Sequence, residues 1–149
     1  MQFKIKKFFI ITLLISILVF HNNLYPSTDT NEIDDFGIIS LMYHRFEENK
    51  YPSTNIKLKD FKEHIKIIEE SDINFVNPKN FEEELINNKS KKKILLTIDD
   101  GFASFYKNAW PILKEKRIPF ILFVSTREVG AFNYMTWDQI REISEEDFV

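Results

Sequence analysis

Apolar and polar positions alternate in blocks along residues 36–149. Four short runs are apolar almost throughout, as is typical of strands that are buried on both faces of a parallel sheet. These runs are residues 38–43, 73–76, 94–98 and 119–124. Between and after them, apolar residues recur at helical spacing, which predicts helices over about 58–70, 80–87 and 103–116 and from Thr136 onward. This alternation predicts an α/β fold with parallel strands and right-handed crossovers.

Polar residues refine the boundaries of these elements. Residues 46–57 are polar and predict a loop. Asn80 with Glu83, and Thr136 with Gln139, have the spacing of helix-capping residues. Pro111 lies inside the third predicted helix and is expected to kink or restart it. The final residues, 148–149, resemble the start of a fifth strand.

The first 21 residues have the pattern of an export signal. Lys4, Lys6 and Lys7 precede a 13-residue apolar run over 8–20. A helix of that length spans roughly 20 Å, whereas a bilayer core is about 30 Å thick. We therefore predict a signal peptide, with an uncleaved anchor that attaches the protein to a membrane through residues 8–20 as the alternative. Residues 22–35 are predicted to form a polar linker, and residues 36–149 an exported domain that is secreted, periplasmic or at the cell surface.

The composition excludes several function classes. The formal net charge is −3, so the basic face that a nucleic-acid-binding protein needs is not expected. Cysteine is absent from the sequence, which excludes disulfides, thiolate metal ligands and a cysteine nucleophile. With only 3 glycines, a glycine-rich phosphate-binding loop is not expected either. Any metal ion must be held by oxygen and nitrogen ligands.

The adjacent carboxylates of Asp99 and Asp100 are the main candidate functional groups. They follow an apolar strand directly, where two neighbouring charges repel each other and lose hydration. A metal ion or a bound proton resolves that conflict, and Gly101 allows the chain to turn sharply next to a ligand. The alternative is that one aspartate caps the helix beginning near Phe102. His44 follows the first strand and is expected at the same edge of the sheet.

The pattern resembles the polysaccharide deacetylase family, with its NodB homology domain. The resemblance covers roughly residues 38–149 and is closest to the exported branch that acts on polymers of the poly-N-acetylglucosamine type. Four segments carry it: Leu41–Arg45 (LMYHR), Leu96–Phe102 (LTIDDGF), Pro119–Val124 (PFILFV) and Met135–Ile140 (MTWDQI).

The resemblance implies the N-terminal portion of a distorted (β/α) barrel that hydrolyses N-acetyl groups of a polysaccharide with a divalent metal, Zn²⁺ above others. It implies Asp99 as the general base, Asp100 as a metal ligand, and His44 and Gly101 as substrate-binding positions. In the family, further histidines complete the metal site and supply the general acid, and the sequence ends before their expected positions. We therefore expect a truncated deacetylase that binds metal weakly and has little or no activity.

Two other functions fit the same residues. Pairs of acids at strand ends also serve Mg²⁺-dependent phosphoryl transfer, although such domains are usually cytoplasmic. Alternatively, the chain is a non-catalytic, exported carbohydrate-binding protein whose aromatic residues stack on sugars. The aromatic residues considered for that role are Phe102, Phe105, Tyr106, Tyr134 and Trp137.

Overall fold

A computed structural model describes residues 37–87 and 91–149 of the chain. The predicted export signal over 1–21 and the predicted linker over 22–35 lie outside the described residues. Within the part that is described, no helix combines the length and the apolar character that crossing a membrane requires.

A parallel sheet forms the centre of the fold, and the α/β prediction is confirmed. The strands are β1 (Gly37–Tyr43), β2 (Arg45–Phe46), β3 (Asn55–Ile56), β4 (Asn74–Phe75), β5 (Lys92–Ile98) and β6 (Ile121–Leu122). β1 pairs with β5 along its whole length, from Gly37 beside Lys92 to Tyr43 beside Ile98. On the other edge of β5, β4 pairs with its first half and β6 with its second half. The central position of β5 explains why its run 94–98 is buried throughout.

The prediction of a loop over residues 46–57 is wrong in part, because β2 and β3 form a second, small pair of parallel strands there. A distant segment supports this pair. The Phe46 amide donates to Ser104 Oγ at 3.2 Å, and Asn108 Nδ2 donates to the Phe46 carbonyl at 3.1 Å. Two-residue strands that depend on such remote partners are too short to show a hydrophobic period in the sequence.

The described residues contain four α-helices, in the order that the hydrophobic pattern predicts. They are α1 (Leu58–Glu69), α2 (Phe81–Asn87), α3 (Trp110–Lys116) and α4 (Trp137–Ser144). α1 buries Phe61, Ile65 and Ile68, which lie on one face at helical spacing. Its first backbone amide, that of Leu58, donates to the Glu47 carboxylate from the preceding segment.

Asn80 does not cap a helix as the sequence predicts. A 3-10 turn, Pro78–Asn80, comes before α2, and Asn77 is its capping residue, accepting a hydrogen bond from the Lys79 amide at 3.0 Å. The residue before a proline is driven into the extended region, and proline itself fits the first position of a helical turn. Pro78 therefore moves the start of the helical segment three residues earlier.

The predicted helix over 103–116 is interrupted as Pro111 leads one to expect. Residues Phe105–Ala109 form a π-helical turn, and α3 follows it directly. Proline has no amide hydrogen and clashes with the preceding turn, so the helix widens there to keep its other hydrogen bonds. Arg117, with a φ of 51°, then ends the helix.

The capping box predicted at Thr136 is confirmed. Gln139 N donates to Thr136 Oγ1 at 3.3 Å, and Thr136 N donates to Gln139 Oε1 at 2.9 Å. The fifth strand predicted at residues 148–149 is wrong, since residues 145–149 form turns and irregular backbone. Phe148 is nevertheless buried in the core, and its carbonyl accepts a hydrogen bond from the Phe120 amide at 3.4 Å.

Aromatic side chains fill the core between the sheet and the helices. Phe46, Phe61, Phe105 and Phe120 are fully buried. The ring of Phe46 contacts those of Phe61 and Phe105, and Phe105 contacts Phe120, with ring centroids 5.0 to 5.8 Å apart. Tilted and edge-to-face pairs at such distances are favourable beyond the area that they bury. The aromatic chain joins β2, α1, the π-helical turn and the segment before β6, so it fixes the strand ends that carry the candidate site.

Candidate functional site

Asp99 and Asp100 follow β5 directly, at the carboxyl end of the central strand. The Asp99 amide donates to the Tyr43 carbonyl at 2.8 Å, so the hydrogen bonds between β1 and β5 continue one residue beyond the end of β5. His44 therefore lies next to Asp99 at the same edge of the sheet. The predicted rim that joins His44, Asp99 and Asp100 is present in the fold.

The carboxylate of Asp99 is incompletely satisfied. Its Oδ1 atom is buried and is the one buried side-chain polar atom without a hydrogen-bond partner among residues 37–87 and 91–149. Burying a polar atom without a partner costs about 1–3 kcal/mol, more for a charged group. A fold keeps such an atom where a ligand, a water molecule or a metal ion supplies the missing partner.

Asp100 is held in a different environment from its neighbour. Its Oδ1 accepts a hydrogen bond from Ser125 Oγ at 3.2 Å, and its carbonyl accepts one from the Ser125 amide at 3.4 Å. The two carboxylates thus lie in different hydrogen-bonding environments. Ser125 was not identified from the sequence, because it lies in a loop 25 residues away.

A left-handed turn separates these carboxylates from the following helix. Asp100 has a φ of 71° and Gly101 a φ of 76°, so both lie in the region that glycine adopts without strain. Gly101 is buried, and its carbonyl accepts a hydrogen bond from the Met135 amide at 2.9 Å. Neither aspartate occupies the position directly before the following helix, because the helical segment begins at Ala103, after Phe102.

His44 is partly buried, and no partner for its ring is found among the described residues. The other histidine of this region, His64, forms a hydrogen bond between its Nδ1 and Tyr43 Oη, at 2.8 Å. Burial raises the pKa of the Tyr43 hydroxyl, so Tyr43 stays protonated at neutral pH. Tyr43 and His64 therefore stabilise the end of β1, while the ring of His44 stays available at the rim.

Arg45 is a second residue that sequence reasoning left without a role. Its guanidinium lies 3.5 Å from the centre of the Phe102 ring and 4.3 Å from that of Tyr51, and it pairs with Glu48 at 2.8 Å. Such stacking of a cation on aromatic faces is favourable, and more so away from water. It holds the segment after His44 against the segment after Gly101. Its position directly after His44 was the signal that could have identified it.

The residues at this rim could supply some of the ligands of a divalent metal ion. Asp99 and Asp100 offer carboxylate oxygens, including the unpartnered buried one, which is a ligand type that Zn²⁺ accepts. Among the described residues, however, no group of three or more His, Asp or Glu side chains is placed to hold an ion. The described part of the chain thus supplies a fraction of the ligands that a zinc site uses.

Comparison with known proteins identifies the family of this segment. The family model described as "Polysaccharide deacetylase" matches residues 86–149, which include the Asp99–Asp100 pair. The resemblance to this family that the sequence indicates is confirmed by the match over residues 86–149.

Individual polysaccharide deacetylases resemble a larger part of the chain. YxkH of Bacillus subtilis, provisionally named a polysaccharide deacetylase, is 28% identical over 107 residues, which are 70% of this chain and 38% of YxkH. The poly-beta-1,6-N-acetyl-D-glucosamine N-deacetylase of Staphylococcus aureus is 26% identical over 92% of this chain and 56% of the relative. The structure of IcaB from Ammonifex degensii has 31% identity and a TM-score of 0.67, and covers 74% of this chain and 49% of IcaB.

These matches support the predicted fold class, a barrel-like α/β fold of the NodB type. The chain spans between about two fifths and just over half the length of the three relatives named above.

Proposed function

We propose that this protein is a metal-dependent hydrolase that removes N-acetyl groups from a polysaccharide. The observation that carries the proposal is the buried, unpartnered Oδ1 of Asp99 beside Asp100, within the residues that match the deacetylase family. The S. aureus relative is named for poly-beta-1,6-N-acetyl-D-glucosamine, and a polymer of N-acetylglucosamine is the proposed substrate class.

Asp99 is the proposed general base and Asp100 a proposed metal ligand. The carboxylate of Asp99 would take the proton of the water molecule that attacks the acetamido carbonyl, and the C–N bond then breaks to release acetate and an amine, which takes up a proton. Ser125 donates a hydrogen bond to one oxygen of Asp100, which fixes the orientation of the carboxylate that would hold the ion. When bound, the metal, proposed to be Zn²⁺, polarises the carbonyl and lowers the pKa of the attacking water.

His44 and Gly101 are the proposed substrate-binding positions. The ring nitrogens of His44 can donate to and accept from sugar hydroxyls at the rim of the sheet. Gly101 contributes through its main chain, since its left-handed turn sets the direction in which the chain leaves Asp100.

The 149 residues alone are expected to bind Zn²⁺ weakly and to turn over slowly. Zn²⁺ is usually held by three or four protein ligands, whereas Asp100 supplies one carboxylate. The same chain is proposed to be exported, with residues 1–21 as signal or anchor, 22–35 as linker and 36–149 as the deacetylase portion. The lysines before the apolar run support this arrangement.

Acetate release from an oligomer of β-1,6-linked N-acetylglucosamine, with added Zn²⁺, tests the proposal. We expect slow release by the 149-residue chain and a loss of about 10²-fold or more in Asp99→Asn, because removal of a general base costs roughly 10²–10⁴-fold. Asp100→Asn should instead raise the Zn²⁺ concentration that is needed.

Asp138→Asn is the matched control, because Asp138 is an exposed carboxylate in the first turn of α4. It should release acetate as the parent chain does. Release that persists in Asp99→Asn contradicts the role of Asp99, and an unchanged Zn²⁺ requirement in Asp100→Asn contradicts the role of Asp100 as a metal ligand.

A further inference from the structure

A cavity of about 680 Å³ lies outside the lining of the candidate site, and neither of the two aspartates borders it. The residues that line it come from four short stretches of chain, 46–51, 103–104, 107–108 and 132–133. The proposed general base and metal ligand therefore give this cavity no role. The charges and hydrogen-bonding groups of its walls indicate which kind of ligand it suits.

Two lysine side chains of the lining lack an acidic partner. Lys50 lies between β2 and β3, and Lys107 belongs to the π-helical turn, so the two come from different walls. Both are exposed, and neither forms an ion pair with a carboxylate of residues 37–87 or 91–149. Two positive charges on the walls of one cavity repel each other, and an anion bound between them relieves that repulsion.

The two carboxylates of the lining are engaged with other groups. Glu47 accepts a hydrogen bond from the Leu58 amide, and Glu48 pairs with Arg45 at 2.8 Å. Neither carboxylate forms an ion pair with the two lysines among the described residues. The formal net charge of the whole sequence is −3, so the unpaired positive charge is a local property of this cavity.

Neutral hydrogen-bond donors accompany the lysines in the same lining. The Ser104 hydroxyl accepts from the Phe46 amide at 3.2 Å, and its own hydrogen remains available to a ligand. The side-chain amides of Asn49 and Asn133 each carry two further N–H groups. Many donors beside two ammonium groups suit an anion with several oxygen atoms. A phosphate group has more acceptor oxygens than a carboxylate, and lysine binds phosphate as a point charge.

The backbone of the lining is unusual in three places. Glu47, Tyr51 and Asn133 have φ values of 59°, 64° and 70°. Within the part of the chain that the structure describes, they are three of the five residues other than glycine that have left-handed backbone. This conformation costs free energy where a Cβ is present, and residues that adopt it are concentrated at ligand-binding sites. The strained turns also carry Lys50 and Phe132, which directly adjoin Tyr51 and Asn133.

The cavity is larger than a phosphate ion requires, and two of its side chains are exposed aromatic rings. Phe132 is 91% exposed and Tyr51 is 52% exposed. Apolar rings so open to water are favourably covered by an apolar or aromatic part of a ligand. The volume also lies within the range of about 300–1,000 Å³ that pockets for small organic molecules occupy. The ligand that fits is therefore a phosphate group attached to an organic part.

We propose that this cavity binds a small organic phosphate, with its phosphate group between Lys50 and Lys107. The Ser104 hydroxyl and the two asparagine amides donate to the phosphate oxygens, and the organic part packs on the ring of Phe132. The proposal goes beyond the deacetylase function and does not depend on it, because neither aspartate of the candidate site takes part. The ligand also differs in charge from a neutral N-acetylated polymer.

The test is equilibrium binding of phenyl phosphate and of inorganic phosphate to the 149-residue chain, measured by titration calorimetry at neutral pH and low salt. We expect Lys50→Gln and Lys107→Gln each to weaken the binding of both probes about fivefold, which is the upper range for an exposed ion pair. Phe132→Ala should weaken phenyl phosphate about threefold and leave inorganic phosphate unchanged, because only a ring contact is lost. All three side chains are exposed, so the variants should keep the thermal midpoint of the parent.

Lys59→Gln is the matched control, because Lys59 is an exposed lysine of α1 that lies outside the cavity lining. It should bind phenyl phosphate as the parent does. The proposal is overturned if neither probe binds, if both cavity variants bind as the parent does, or if Lys59→Gln loses as much affinity as they do. Benzoate that binds as tightly as phenyl phosphate also overturns it, because the site would then not select phosphate.

A lipid headgroup offers the same phosphate chemistry, and vesicles distinguish this source from a soluble phosphate. Co-sedimentation with vesicles of phosphatidylglycerol and phosphatidylcholine compares the parent chain with Lys50→Gln and Lys107→Gln. We expect the lysine variants to sediment as the parent does, because a concave cavity does not lie flat on a membrane. Sedimentation that is lost in both variants assigns the lysines to a lipid surface and overturns the soluble ligand.

Discussion

Gly101 shows how a single residue shapes the candidate site. It follows Asp100, and both have left-handed backbone, with φ of 71° for Asp100 and 76° for Gly101. Aspartate tolerates this region better than most residues with a side chain, and glycine enters it freely. Two successive left-handed residues turn the chain sharply away from β5 and leave Asp99 at the end of the strand.

Gly101→Ala is predicted to lower the free energy of unfolding by about 1–2 kcal/mol, the cost of placing a Cβ in left-handed backbone. The added Cβ would lie 3.6 Å from Val124 Cγ1, an ordinary contact, so crowding adds nothing. Urea denaturation checks this. Gly130→Ala is the control, because Gly130 has a φ of 81° and open space around it. If Gly101→Ala lowers the free energy of unfolding much more than Gly130→Ala does, backbone strain alone does not explain the loss.

At this scale the sequence predicts the position of the site but not its internal contacts. The rim that joins Asp99, Asp100 and His44 was predictable, because apolar runs place all three at the ends of neighbouring strands. The hydrogen bond from Ser125 to Asp100 and the burial of one Asp99 oxygen were not predictable. Both depend on how a loop folds back over the strand end, and no local sequence pattern encodes that.

At the scale of secondary-structure elements, the start of α1 is capped by a residue from outside the helix. Its preceding residue, Lys57, makes no side-chain cap. The Glu47 carboxylate accepts the hydrogen bond of the Leu58 amide instead, from a segment 11 residues earlier. A carboxylate at a helix N-terminus satisfies a free amide and also interacts favourably with the helix dipole. The small β2–β3 pair and α1 are thereby joined.

Glu47→Ala is predicted to lower the free energy of unfolding by about 1 kcal/mol, because it removes this cap. Glu47→Gln keeps an acceptor oxygen and should lose less. Thermal or urea unfolding of both variants measures the difference. Glu63→Ala is the control, since Glu63 is exposed in the same helix. If Glu63→Ala is as destabilising as Glu47→Ala, the cap does not contribute as proposed.

Caps within a few residues of a helix were predictable, and remote caps were not. Thr136 and Gln139 form the capping box that their spacing predicts, because both partners belong to one turn. Asn80 has a similar local pattern, but Pro78 starts a 3-10 turn before it and Asn77 takes the capping role. Glu47 is too far from α1 in the sequence for any capping pattern to reveal it.

For the whole molecule, the order of strands and helices was the most predictable feature. Buried apolar runs and amphipathic segments predict the parallel sheet, which the strand pairing confirms. The tertiary contacts that join the helices were not predictable in the same way. Glu142 of α4 accepts hydrogen bonds from Tyr106 Oη at 2.5 Å, and from Trp110 Nε1 and Lys114 Nζ at 3.3 Å each. One carboxylate thus joins the last helix to the π-helical turn and α3.

These contacts predict a dependence of stability on pH. The hydrogen bonds from Tyr106, Trp110 and Lys114 lower the pKa of the Glu142 carboxyl below its ordinary value of 4.5. The unfolded chain therefore binds a proton more readily than the folded chain does. The stabilisation by Glu142 is fully present above pH 4.5 and is lost as the pH falls through the folded pKa.

Glu142→Gln should therefore unfold at a lower urea concentration than the parent at neutral pH, and the difference should shrink well below pH 4.5. The effect is expected to be modest, because the carboxylate is 42% exposed and solvent screens its charge. Glu145→Gln, at the exposed end of the same helix, should follow the parent at every pH. A difference between Glu142→Gln and the parent that stays constant as the pH falls would mean that Glu142 acts through packing and not through its charge. The packing of α4 against α3 would then be stabilised by Trp110 and its neighbours in the core.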